Sequence, residues 1–270
     1  MPNWTEVGDR VFVTRYQFYD QNIGVVLGDE SALLIDTRLS HRQAAEIQAD
    51  LRTLTDLPVG AVVNTHGHSD HCFGNHAFRP AAIWGHKRCV AMIEATAERQ
   101  RDNTIAAMPD LASELYEVVF DPPDRTFAES ATAEVEPGGR SVELRYLGRG
   151  HTDNDIVVLV PDADVLFAGD LLEADATPYF GDAFPIDWPE TVERLVELAT
   201  GAVVPGHGTV GDPAFAARQL GEFREVAELA RLVDAGLLGI DVAVLRTPYT
   251  ADTALEPLTR ALAQIRGELD

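Results

Sequence analysis

The run Thr65-His66-Gly67-His68-Ser69-Asp70-His71 sets three imidazoles and one carboxylate within six residues, directly after the apolar stretch Ala61-Val62-Val63-Asn64. Such a stretch reads as a buried strand, and side chains leaving a strand end alternate. His66 and His68 can therefore reach one metal ion together, while Asp70 and His71, further round the turn, face a neighbouring position. A single histidine is usually a packed or solvated imidazole. Four donors in one turn, flanked by Gly67 and Ser69, point instead to metal binding.

Three later residues share that setting, each on a short turn after an apolar strand. His151 lies in Gly148-Arg149-Gly150-His151-Thr152, Asp170 closes Val165-Leu166-Phe167-Ala168-Gly169-Asp170, and His207 lies in Val203-Val204-Pro205-Gly206-His207-Gly208. Glycine beside each donor lets the backbone approach a crowded cluster. Seven donors suit two metal ions sharing one carboxylate. Nitrogen-rich ligation with two carboxylates fits two zinc ions best, and iron or manganese is also compatible. Two such ions would bring the pKa of a shared water near neutrality, supplying hydroxide for attack on a carbonyl.

These residues need a frame. Residues 10–14, 23–27 and 32–36 are short β-branched runs broken by Gly8-Asp9 and Gly28-Asp29 turns, and Ser40 caps a helix from His41 to about Leu54. Residues 87–115 read as helical. Strands return at 141–146, 155–160, 165–168 and 202–204, with helices at 189–198, 213–235 and 253–269. Strands followed by helix thus occur once in each half, predicting two sheets packed face to face, helices outside, and a shared site at strand ends. Residues 1–270 are read as one domain, with 226–270 a C-terminal helical extension.

At this point the chain resembles the metallo-β-lactamase-fold metallohydrolases, over residues 4 to 225 and with five motifs in the family's order. The resemblance implies an α/β fold, a four-layer αββα sandwich. It implies that His66, His68 and His151 hold one ion, that Asp70, His71 and His207 hold the second, and that Asp170 bridges. Asp36, closing Leu33-Leu34-Ile35-Asp36, would orient the ligands. The stretches around His151 and His207 are also similar to the zinc β-lactamases with a Cys ligand. Three departures separate the chain from that subclass: Asp170 stands for its Cys, His71 for a non-ligand, and Glu173 for the Lys that binds the antibiotic's carboxylate. An anion at Glu173 would repel that carboxylate.

The same comparison sets Tyr179 where the lactamases carry an oxyanion-binding Asn, so its phenol is a candidate hydrogen-bond donor to a developing oxyanion. Asp70 is a candidate to orient the hydroxide or take up a proton, and Phe180 and Phe184 are candidates for an apolar substrate wall. The implied activity is a binuclear metal-dependent hydrolase acting on an ester, thioester, lactone or amide of a small molecule. The alternative of another class is an iron-dependent oxidoreductase of the same fold, resembling persulfide dioxygenases; β-lactamase activity is a weaker alternative. The diiron oxygen reductases usually have Glu in the place of His68.

Composition bounds the partners. With 44 acids against 21 bases the formal net charge is −23, and Lys87 is the only lysine. Such a chain repels phosphate backbones and anionic membranes, so neither nucleic acid nor membrane is expected. Two cysteines, Cys72 and Cys89, are too few for a disulfide framework, and the N-terminal residues do not read as a secretory signal; a cytoplasmic protein is expected. Cys72 reads as a buried thiol. His41, His76 and His86 read as structural or exposed, and Arg99 and Arg101 as solvated helix positions that could also reach a pocket mouth.

Overall fold

The computed structural model describes residues 4–128, 132–135 and 139–269. The first half contains β1 (Thr5–Gly8), β2 (Val11–Tyr16), β3 (Gln21–Leu27), β4 (Ala32–Ile35), α1 (His41–Leu54), β5 (Val59–Val63), α2 (Ser69–Cys72), β6 (Ala82–His86), α3 (Lys87–Ala107), α4 (Ala112–Leu115) and β7 (Arg125–Phe127). The second contains β8 (Thr132–Val135), β9 (Val142–Tyr146), β10 (Ile156–Val160), β11 (Val165–Glu173), α5 (Trp188–Leu198), β12 (Ala202–His207), α6 (Pro213–Asp234), α7 (Ile240–Val244) and α8 (Leu255–Ile265).

The two expected sheets are the halves of one curled path, β7-β6-β5-β4-β3-β12-β11-β10-β9-β8, with β2 on β3 and β1 on β2. They join at a single pair, His207 opposite Gln21. The layers are visible in the packing. Val26, Ile35, Val63, Leu144, Val158, Phe167 and Val204 fill the space between the halves. Ile47 and Leu51 of α1 cover Val25, Leu34 and Val62 on one outer face, while Trp188, Leu195 and Phe223 of α5 and α6 cover Val157, Leu166 and Val203 on the other. Burying each such side chain contributes roughly 1.5–3 kcal/mol, so the αββα layering follows from which strand face is apolar.

Helix α1 begins where its sequence predicts, with the Ser40 hydroxyl accepting from the Gln43 N–H at 3.1 Å. The predicted helix over 87–115 ends instead at Ala107 and resumes as α4, because Pro109 lacks the N–H to continue it. Strand β6 ends Gly-His, and β1 and β7 are short; all three lack the alternating apolar signal. Position 226 lies inside α6, which runs unbroken to Asp234 and is followed by α7 and α8; Leu258 and Ala261 of α8 pack on Leu229 and Ala230 of α6.

Candidate metal centre

The donors meet at the strand ends on one edge of the sandwich. Asp36 follows β4, His66 and His68 follow β5, Asp70 and His71 lie in α2, His151 precedes β10, and His207 ends β12. Asp170 differs from expectation: β11 does not end there but runs on to Glu173. The register of β11 on β12 shifts on either side of Gly169, whose φ is +52°, and a Cβ on Gly169 would lie 2.7 Å from the Thr65 side chain. That bulge turns Asp170 into the cluster without breaking the strand.

Three nitrogens form one group. His68 Nδ1 stands 3.0 Å from His66 Nε2 and 2.8 Å from His151 Nε2. Asp70, His71 and His207 form a second: His71 Nε2 and His207 Nε2 are 3.2 Å apart and each lies 3.4 Å from Asp70 Oδ2. Asp170 lies between them. Its Oδ2 is 3.2 Å from His207 Nε2, 3.5 Å from His151 Nε2 and 3.8 Å from His66 Nε2, and its Oδ1 is 3.3 Å from His71 Nε2.

The opposite ring nitrogen of every histidine is engaged elsewhere. His71 Nδ1–H donates to Asp36 Oδ2 at 2.8 Å, and His66 Nδ1–H to Thr65 Oγ1 at 3.1 Å, whose hydroxyl in turn donates to Asp36. His68 Nε2–H donates to Asp182 at 3.0 Å, His151 Nδ1–H to the Tyr179 carbonyl at 3.2 Å, and His207 Nδ1–H to the Tyr19 carbonyl at 2.7 Å. These partners set the ring orientations and turn the other nitrogen of all five imidazoles toward one another. Asp170 Oδ1, buried, has no hydrogen-bond partner. Five converging imidazole nitrogens and two carboxylates, one with an unpartnered buried oxygen, are a donor set that fits divalent metal.

The field is uneven across the cluster. Burial holds His66 low and His151 at about 4. At His71 and His207 burial works the same way, but Asp170 and Asp70 overcome it and raise both, His207 to about 10. His68 of the first group is raised as well, because Asp182, Asp70 and Asp170 together outweigh its burial, so the carboxylates act on both groups.

A cleft of about 710 Å³ opens onto His68, Asp70 and His207. One wall is a face of α3, with Met92, Thr96, Arg99, Asn103 and Ala107 at helical spacing; the opposite wall is the segment from Glu173 to Asp182, and Tyr19 and Asp20 close a third side. Gln100 ties α3 to the ligand turn, its amide donating to the Gly67 carbonyl at 3.0 Å and accepting from the Ser69 N–H at 2.8 Å.

Tyr179 lies on the rim, half-exposed, with its ring 6.0 Å from those of His68 and His151. Burial and Asp182 raise its phenol pKa, so it keeps its proton. Glu173 lines the cleft but is not a free anion. It is buried, its carboxylate accepts from the Tyr179 N–H at 2.9 Å, and burial with nearby Asp170 pushes it up to about 8. The repulsion expected of it is therefore blunted.

Phe180 and Phe184 do not form a substrate wall. Phe180 packs inward against Trp188 and Tyr249, and Phe184 lies under the Arg149 guanidinium, where aromatic surface is better covered than in the cleft. Asp182, Tyr19 and Gln100 were not legible as site residues, since each acts through a long-range contact with no spacing signal. His86 is buried at the start of α3, and His76 pairs with Asp121 at 3.1 Å. No helix among the described residues is long and apolar enough to cross a membrane.

The comparisons agree with this geometry. The family described as Metallo-beta-lactamase superfamily matches residues 16–207. The metallo-β-lactamase type 2 of Bacillus cereus is 26% identical over 196 residues, covering 70% of this chain and 68% of its own. A linear primary-alkylsulfatase of a Pseudomonas species is 25% identical over 214 residues, covering 66% of this chain but 40% of its own. Among solved structures, a metallo-β-lactamase from Pontibacter korlensis superposes with a TM-score of 0.67 at 23% identity, over 83% of this chain and 99% of that one. From the profile match over most of its length, the chain belongs to the metallo-β-lactamase superfamily.

Proposed function

We propose that this protein is a binuclear metal-dependent hydrolase, with zinc as its metal, that cleaves an ester, thioester, lactone or amide of a small molecule. The observation that carries the reading is the set of five converging imidazole nitrogens and two carboxylates at the floor of an open cleft. His66, His68 and His151 would hold one ion, and Asp70, His71 and His207 the other, with Asp170 between. Divalent ions bound there would supply a nucleophile at neutral pH and Lewis-acid polarisation of the substrate carbonyl.

The chain's own groups do the rest. Asp36, Asp182 and the carbonyls of Tyr19 and Tyr179 keep the imidazoles in their ligand tautomers. Asp70, facing the cleft, orients water and takes up its proton. Tyr179, protonated and on the rim, donates to the oxygen that gains charge. The relatives include metallo-β-lactamases and an alkylsulfatase, which are hydrolases, and this supports hydrolysis over redox chemistry.

The test is metal quantification on the purified protein followed by a panel of esters, thioesters, lactones and alkyl sulfates. Two ions per chain and chelator-sensitive acid release from a carbonyl substrate are expected. A single iron with oxygen uptake on glutathione persulfide, and no hydrolysis, would replace this reading with the oxidoreductase one.

A further inference from the structure

The charged groups of the cleft are unequally used. Its acids are engaged inside the protein: Asp20 by Arg15, Asp182 by His68, Glu173 by the Tyr179 N–H, and Asp70 among the ligand histidines. Arg99 is the only Arg or Lys of the cleft lining, and among the described residues it has no ion-pair or hydrogen-bond partner. Its neighbours on α3 are engaged: Gln100 grips the ligand turn, and Arg101 pairs with Asp102 at 3.1 Å on another face.

We infer that Arg99 is an anion anchor, and that the substrate is a small molecule carrying an oxyanion, carboxylate or sulfate, away from the bond that is cleaved. A guanidinium offers two parallel N–H donors to paired oxygens, the geometry both anions present. The position also suits selection. Gln100, one residue on, fixes the α3 backbone against Gly67 and Ser69, so Arg99 keeps a set relation to the ligand turn. Apolar surface from Met92, Ala107, Ala174 and Ala176 lines the same cleft and would accept the substrate's carbon frame. Within this cleft Arg99 is the one guanidinium an entering anion could pair with, so the anchor would favour an anionic substrate over its neutral analogue. This assignment gives the proposed hydrolase its substrate class and rests on that reading for the reaction, but not for the binding.

The experiment measures binding by calorimetry with three probes: monomethyl glutarate, butyl sulfate and the neutral dimethyl glutarate. The wild-type holoprotein is expected to bind at least one anion ten- to a hundredfold more tightly than the neutral diester, the span of one charge-assisted contact (on the order of 10–100-fold). Arg99→Gln should bring that ratio close to one, Arg99→Lys should keep part of it, and Arg101→Gln should keep it whole. Tighter monomethyl glutarate assigns a carboxylate; tighter butyl sulfate assigns a sulfate ester. No preference for either anion in the wild type, or a preference surviving in Arg99→Gln, would overturn the anchor. Turnover of mono(4-nitrophenyl) succinate and 4-nitrophenyl acetate is followed in parallel. Failure to hydrolyse either ester while the binding ratio holds would count against the hydrolase and leave the anchor standing.

Discussion

The two ligand groups differ in what holds them. The first is all nitrogen, and two of its three anchors, Asp182 and the Tyr179 carbonyl, come from the segment after β11. That segment is fastened from outside by α8: Arg260 Nε donates to the Ala183 carbonyl at 2.8 Å, and the Gln264 side chain accepts from the Ile186 N–H at 2.8 Å. The second group contains a carboxylate and lies nearer Asp170. Its anchors are Asp36 at the end of a core strand and the Tyr19 carbonyl in a loop with left-handed backbone. One group depends on a loop braced by the C-terminal helix; the other depends on charge and on a strained turn. Metal binding should therefore fail at the two positions for different reasons.

Ligand removal should separate them most sharply. His66→Ala should cost the first ion and His207→Ala the second, each leaving one ion per chain by elemental analysis. Asp170→Asn should fold but bind the second ion at least about a hundredfold more weakly, since an amide cannot cancel repulsion between two dications. The shorter distances from Asp170 to His71 and His207 set the direction of that asymmetry. Two tightly held ions in His207→Ala would sink the two-group assignment.

The donors were legible because chemistry clusters in sequence: four of the seven fall in one turn after a buried strand, and the others follow apolar runs. The layers were legible for the same reason, since β-branched and apolar runs mark Val11–Tyr16, Ile156–Val160 and their neighbours. What holds the donors was not. Asp182 reaches His68 across 114 positions and the Tyr19 carbonyl reaches His207 across 188, and neither contact leaves a local pattern. Asp36 was found only through family resemblance, because a lone Asp after a strand reads as a turn. Phe180 and Phe184 were misplaced because a composition that suits a pocket wall suits a core equally well.

Smaller effects sharpen the contrast through the anchors. Asp36 holds His71 directly and His66 through Thr65, so Asp36→Asn should weaken both ions, roughly ten- to a hundredfold each. Asp182→Asn touches only His68 and should weaken the first ion alone by a similar or lesser factor. Stepwise chelator titration resolves the two. Equal losses at both positions in Asp182→Asn would show that the segment after β11 serves the whole cluster.

The smallest effect expected is at Arg15, which touches no ligand. Its guanidinium pairs with Asp20, reaches Asp175 Oδ2 at 3.0 Å and donates to Thr209 Oγ1 at 2.8 Å, joining three loops around His207. Tyr19 and Asp20 sit at φ of 57° and 56°, a region disfavoured by roughly 1–2 kcal/mol for residues with a Cβ. Arg15 helps hold that strain, and with it the carbonyl that orients His207. The pairs are partly exposed, so their combined worth is about 1 kcal/mol, near fivefold in affinity. Arg15→Gln should thus weaken the second ion several-fold and leave the first unchanged, with a smaller difference in concentrated salt, where such pairs are screened. Loss at the first ion instead would show that the loop's order is set elsewhere, and that the contrast between the two groups lies in the ligands alone.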